Sequence, residues 1–556
     1  MRHLLLASAA FCMAAPAMAG QTANEPTSAD RFRATVEFLA DDLLEGREAG
    51  TRGYDLAAHY VATEMKGLGL MPGDVDGDFM QDIKFANYLI DKDKPMALII
   101  GGERIKHGDG VAVGKVPAFA GSKAAPAEAV YVGSGISAPE FGIDALGNID
   151  LKGKVAVKFG GMDKATAEKL PSDVRATLMS TANQTLLDRG AVGVITIVPD
   201  EVLKQYPFEM IQGQSFTPSL VSLNPDGSPV TSTGNMRISG VVTEAAAAKL
   251  FAKATTPWSA VKASKDPVKA FALGTTVGME RTINPGDGFT SANVVGMIPG
   301  SDPKLKNEVI ALVGHLDHVG IRDGDSHGSG QKPSKDKEAD AKDRIYNGAM
   351  DNATGIASLL EAARMFKESG KAPRRTIMFI ALTAEEKGLM GAEWLAGNMQ
   401  MFGGKKLVGL VNLDMPVIVS DFDRVVAYGS EHSTMGSAVE KAISDIGVTR
   451  IDDPMPEEVF FIRSDHFEFV KAGIPSLYID PYPVAAEEAK MKDFLDNHYH
   501  QASDEVDLID WDAGAKFAKV NYEIARMIAD ADAAPAWYAD SYFGNRFAPK
   551  AAKAKR

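Results

Sequence analysis

Apolar runs bounded by polar turns divide the chain into stretches of different period. From about residue 290 onward, β-branched and large apolar residues come in short runs at 292–297, 308–314, 376–382, 407–413, 424–428 and 475–479. Runs this short and continuous predict strands buried on both faces. Between them, apolar residues recur at helical spacing over 355–367, 390–398, 433–446, 467–472 and 513–531. The alternation implies an α/β fold, a mostly parallel or mixed sheet sandwiched by helices. Residues 31–70 also read as helical, interrupted by G-R-E-A-G-T-R-G at 46–53. That glycine-rich loop follows no strand, so it reads as a structural turn rather than a phosphate cradle.

The texture changes between about 101 and 275. Short β-rich runs at 129–132, 154–158 and 193–197 alternate with Gly, Pro and Asp turns, and 186–191 looks like a helix feeding a buried strand. No cluster of His and acidic residues with metal-ligand spacing occurs there. The expected organisation is a main domain begun over 20–104, a β-rich insertion over 105–280, the main domain resumed over 281–535, and a tail over 536–556. The tail ends A-P-K-A-A-K-A-K-R and is expected to be disordered. Residues 322–342, rich in Gly, Ser, Lys and Asp, predict a mobile loop.

Composition narrows the partners. A chain of 556 residues is too long for one ordinary domain, and 45% hydrophobic residues are those of a globular protein. The net charge of −15, from 59 basic and 74 acidic residues, argues against nucleic acid. Residues 1–19 read as a secretory signal: Arg2, an apolar region over 4–15, and the A-x-A site Ala17-Met18-Ala19. The apolar region is too short to span a bilayer. The expected protein is exported, periplasmic or secreted, with no membrane span. Its single cysteine, Cys12, would leave with the signal.

The chemistry gathers at strand ends. The 308–314 run leads into H-L-D-H, with His315 and Asp317. Asp351 precedes an amphipathic helix in N-G-A-M-D-N-A-T-G. Glu385 and Glu386 end the 376–382 strand, Asp414 ends the 407–413 strand, and His500 lies in H-Y-H-Q-A-S-D-E. In an open α/β sheet, groups at the carboxyl ends of strands converge on one rim. Two His, two Asp and one Glu form a mixed N/O donor set suited to zinc, or to manganese or cobalt, and numerous enough for two ions sharing a carboxylate.

The order H-x-D, D-N-A-x-G, A-E-E-x-G-L, L-D-M and Y-H-x-x-x-D resembles the co-catalytic zinc aminopeptidase family, which includes glutamate carboxypeptidases and glutaminyl cyclases. L-L-E-G-R-E-A-G-T-R-G and the S-D-H of residues 464–466 also match. The resemblance implies a zinc-exopeptidase-like fold with a protease-associated domain as the insertion. It implies two Zn2+ per chain, one held by His315 and Asp414 and one by Glu386 and His500, with Asp351 bridging. It implies peptide substrates, hydrolysed by a metal-bridged water that Glu385 activates. Asp317 would hold His315 in the correct tautomer, Tyr499 would stabilise the oxyanion, Asp504 matches the acidic residue following the last ligand, and the Asp351–Asn352 peptide would be cis. Aminopeptidase activity is the expected reaction, with a carboxypeptidase or a non-catalytic binding protein as alternatives. His498 is a rival to His500, and His318, close to the site, reads as a solvated loop histidine, with substrate contact as the alternative. Phe460, Phe461, Arg463, Tyr478 and Tyr482 are candidates for substrate selection, each otherwise explained by ordinary packing.

Overall fold

A computed structural model describes residues 26–115, 123–230, 234, 236–264, 267–322 and 343–556. The expected signal and nearly all of the 322–342 loop lie outside the described residues.

Among the described residues the large sheet has eleven strands. Nine of them carry the argument: β1 (Met80–Ile90), β2 (Ser219–Leu223), β3 (Phe289–Ile298), β4 (Glu308–His315), β5 (Thr376–Leu382), β6 (Lys406–Asn412), β7 (Phe422–Tyr428), β8 (Thr449–Ile451) and β9 (Ser476–Pro483). Across the sheet the order is β2-β1-β3-β5-β4-β6-β9-β7-β8. The centre is parallel (β5 with β4, β4 with β6, β6 with β9), whereas β3 meets β5 and β7 meets β9 antiparallel. The sheet is therefore mixed.

Every residue of β5 is buried, as its unbroken apolar sequence requires of a central strand covered on both faces. Its side chains divide by the two-residue period of a strand. Ile377, Phe379 and Ala381 pack with helices α1 (Ser28–Leu39), α2 (Arg52–Gly67), α3 (Thr354–Glu368), α5 (Met435–Ser444) and α7 (Trp511–Asp530). Met378, Ile380 and Leu382 pack on the opposite face with α4 (Met390–Gly397) and with Phe469 of α6 (His466–Lys471). Local signals set the helix starts: Thr27 and Asp30 form a capping box on α1, and Asp510 caps α7.

A second sheet of eight strands has its own core, including Leu98, Val157, Ile195 and Trp258. It reaches outside the expected 105–280 at one end, taking in Ala97–Ile100. Conversely, Ser219–Leu223 leaves that stretch to pair with β1 at the edge of the large sheet. There the Trp394 indole donates to the Leu223 carbonyl at 2.8 Å. The two bodies meet where Leu170, Val174 and Leu178 pack with Tyr428, Phe461 and Phe543.

The basic tail is not disordered, contrary to the expectation. Phe543 is buried, Ala554 exchanges backbone hydrogen bonds with Trp537 and Ala539, and Arg556 pairs with Asp540 at 2.8 Å. Composition alone read it as solvated, but the aromatic residues just upstream anchor it.

Candidate metal centre

The carboxyl ends of β4, β5 and β6, with the loops before α3 and before α7, form one rim. His315 is the last residue of β4. Its Nε2 lies 2.9 Å from Asp414 Oδ1 and 3.1 Å from Asp351 Oδ1. The second oxygen of Asp351 lies 3.0 Å from His500 Nε2, and His500 Nε2 lies 3.3 Å from Glu386 Oε1. Asp351 thus faces one histidine with each oxygen. All five residues read from the sequence as ligands converge, and Glu385 is adjacent to Glu386. His498 stays outside, its Nδ1 2.9 Å from the Ser503 hydroxyl.

The surroundings fix these groups. Asp414 Oδ2 accepts from the Ser464 hydroxyl, which accepts from Asn412 Nδ2 at 2.7 Å. Asn352 donates to the Leu413 carbonyl at 3.0 Å, and the Asp351–Asn352 peptide is cis. Ala384, Met415 and His500 adopt positive φ (57°, 36° and 55°), each in or beside a candidate ligand or Glu385. Non-glycine residues hold this conformation only where the surroundings over-determine it.

Asp317 reaches His315 through its main chain rather than its side chain. His315 Nδ1 lies 3.0 Å from the Asp317 backbone carbonyl, not from its carboxylate. The carboxylate instead accepts the backbone N–H groups of Glu385 (3.1 Å) and Glu386 (3.3 Å). Two converging peptide N–H groups occupy it, so it fixes the Glu385–Glu386 backbone and leaves His315 to the main chain.

One residue escaped the sequence reading, and a second was read there as solvated. Arg47, in the G-R-E-A-G-T-R-G turn, is fully buried. Its guanidinium donates to the carbonyls of Leu39, Leu316 (3.0 Å), Asn347 (2.6 Å) and Gly348 (3.0 Å). On the N–H side of the Asn347–Asp351 loop, Asp504 accepts from Met350 (2.8 Å) and Asp351 (3.0 Å). The loop presenting Asp351 is therefore clamped between a buried cation on its carbonyls and a buried carboxylate on its amides. Glu48, next to Arg47, pairs with Lys387 at 2.6 Å, beside Glu386. The turn is structural, as read, but what it builds is the centre. The second residue is His318. It is fully buried, not solvated, and its Nδ1 lies 2.8 Å from Glu386 Oε1. The available signals were a non-glycine residue inside a glycine-rich turn and a second histidine three positions after His315.

The electrostatics match a cation site. Burial alone would lower His315, but Asp414, Glu385 and Asp351 outweigh it and push its pKa well up. His500 behaves likewise through Glu386 and Asp351. Carboxylates that draw protons onto two buried histidines would equally favour a divalent cation. Burial raises Glu385 well above the usual carboxylate range, with Glu386, Asp414 and Asp465 adding to it against His315. Burial also lifts Asp504 to about 7 and depresses Arg47 to about 10. Glu386 Oε1 and both ring nitrogens of His318 are buried without a hydrogen-bond partner among the described residues. Orphaned N and O donors of this kind fit a metal ion better than a structural network.

Tyr499 stands over the rim, its ring centroid 4.1 Å from that of His500. Phe461 and Tyr478 are buried in packing, while Arg463 pairs with Glu458 at 3.1 Å and Tyr482 lies under Arg424.

Fold and rim together define an α/β protein with a candidate histidine–carboxylate cation site at the ends of its parallel strands. Residues 293–525 match the model of Peptidase family M28. A probable leucine aminopeptidase 1 of Trichophyton verrucosum is 27% identical over 237 residues, 41% of this chain and 55% of the relative. Leupeptin-inactivating enzyme 1 of Streptomyces exfoliatus is 29% identical over 217 residues, 38% of this chain and 41% of the relative. The chain thus spans about half the length of the curated relatives it matches. Among solved structures, an aminopeptidase from Aneurinibacillus sp. strain AM-1 is 20% identical, with 90% of this chain and 93% of that one covered and a TM-score of 0.43. The zinc aminopeptidase of Bacillus subtilis is 18% identical, with 90% and 94% covered and a TM-score of 0.41.

Proposed function

We propose that the protein is an exported zinc exopeptidase that releases residues from the N-terminus of peptides. His315 and Asp414 would hold one ion, Glu386 and His500 a second, and Asp351 both. The observation that carries this reading is Asp351, with Oδ1 3.1 Å from His315 Nε2 and Oδ2 3.0 Å from His500 Nε2. When bound, the ions would polarise the scissile carbonyl and bring the pKa of water towards about 7.

This chain's residues do the rest. Glu385, whose backbone is held by the Asp317 carboxylate, takes the proton of the attacking water and delivers it to the leaving amine. Burial raises its pKa well above the usual carboxylate range, with the neighbouring carboxylates adding to it. Tyr499, beside His500, offers its hydroxyl to the developing oxyanion. The body built on the second sheet reads as a protease-associated-like domain that limits access for long chains. Arg463, the candidate partner for a substrate carboxylate, is held by Glu458, so the carboxypeptidase alternative gains no support.

The test is metal content of the purified protein together with amino-acid release from an N-terminally free and an N-blocked peptide. About two zinc per chain, with cleavage of the free peptide alone, is the expected result. Cleavage of the blocked peptide from its C-terminus would overturn the aminopeptidase reading.

A further inference from the structure

His318 stands three residues beyond His315, on the stretch that leaves β4. It is fully buried, and its backbone N–H donates to the Arg47 carbonyl at 3.3 Å. Its ring is pressed from one side by Gly348, where a Cβ would come within 2.5 Å of His318 Cγ. On another side its centroid lies 5.6 Å from that of His500, edge to face. The imidazole is thus seated by the two loops that also deliver Asp351 and His500.

What it faces is informative. His318 Nδ1 is 2.8 Å from Glu386 Oε1, an ion-pair distance at poor hydrogen-bond angle, and His318 Nε2 is buried without a hydrogen-bond partner among the described residues. The ligand atoms of His318, Asp351 and Glu386 all lie within 4.8 Å of one another. Donor bonds of about 2.0–2.2 Å to a common tetrahedral ion place neighbouring donor atoms about 3.3–3.6 Å apart, a spacing these side chains can reach from where they stand. His500 Nε2 lies at 3.0 Å from Asp351 Oδ2 and 3.3 Å from Glu386 Oε1.

We propose that His318 is a further protein ligand of the ion that Asp351, Glu386 and His500 would hold. This rests on the two-ion reading above and deepens it. The two positions then differ: the one at His315 and Asp414 has three protein donors counting the shared Asp351, and the one at His318 has four. With four protein donors, the position at His318 would be held more completely by the chain than the one at His315 and Asp414.

The test uses the metal-free full-length protein, titrated with Zn2+ against a chromophoric chelator and with Co2+ by visible absorption. Wild type should bind two ions. His318→Ser should weaken one of them by about 100-fold or more, beyond the loss expected from a residue that only orients a ligand. The other ion should bind unchanged, and the Co2+ spectrum of the weakened position should change even at saturation. His318→Cys should restore tight binding and add a thiolate-to-cobalt charge-transfer band, a positive result that does not depend on His318→Ser folding well. Wild-type affinity for both ions in His318→Ser would overturn the assignment. So would weakened binding with an unaltered Co2+ spectrum at saturation, or His318→Cys loaded with two Co2+ and no thiolate band. A wild type that binds one ion or none would instead bring down the two-ion reading itself.

Discussion

The two sheets make similar cores by similar means and differ in what they bury at their edges. Both place continuous β-branched runs in central strands and cover them with helices. The large sheet collects His315, Asp317, His318, Asp351, Asp414, Asp465 and Asp504 at one rim, all buried. The second sheet buries far less charge, chiefly Glu244, which accepts the Asp200 N–H and lies against Lys262, and Arg281, which donates to the Gly114 carbonyl. Backbone conformation divides the same way. Among the described residues, the non-glycine positions with positive φ are Glu45, Arg47, Ala384, Leu389, Met415, Val459 and His500, none of them within 97–280. Strain and buried charge each cost stability, and a fold retains them where they position chemistry. The contrast singles out the large-sheet body as the one whose rim is built to position chemistry.

The comparison breaks first at Glu385. Glu385→Gln keeps the shape and removes the proton acceptor, so turnover should fall about 1,000-fold. Metal content and melting temperature should stay at wild-type values; substantial residual turnover would remove Glu385 from its role. Arg47→Met comes next. It strips four buried carbonyls of their donor and should destabilise the protein by about 3 kcal/mol or more. Thermal unfolding with and without added zinc would measure it, and a neutral result would mean that the clamp on the Asp351 loop is incidental. Asp504→Asn leaves the shape but weakens acceptance of the Met350 and Asp351 amides. Metal affinity should drop about 10- to 100-fold, the scale of a group that orients a ligand. Arg281→Met is the control from the other body. Burial, not offset by a neighbouring carboxylate, depresses Arg281 to about 10, so its replacement should shift stability by no more than about 1 kcal/mol and leave peptide hydrolysis unchanged. A large loss of activity there would erase the distinction between the two bodies.

Much of this was legible in the chain. The run T-I-M-F-I-A-L announces a strand covered on both faces, and β5 is that strand from Thr376 to Leu382. The donor residues stand at strand ends, so the topology of a parallel sheet gathers them without further instruction. Asp317 shows where such reading stops. Its importance was visible in H-x-D, but the carboxylate went to the amides of Glu385 and Glu386 rather than to His315.

The sequence by itself determined the periodicities, hence the strands and helices of the main body, and the order of donors along the rim. Those features are written in neighbouring residues, where a two- or 3.6-residue period suffices. Only the tertiary structure decided that Arg47 clamps loops near residues 316 and 348, that His318 turns inward, and that 219–223 joins the large sheet. Backbone carbonyls look alike at every position, and a guanidinium that bonds four of them leaves no local pattern. The partner of such a group is chosen by how the chain returns across hundreds of residues, which no short stretch of sequence contains.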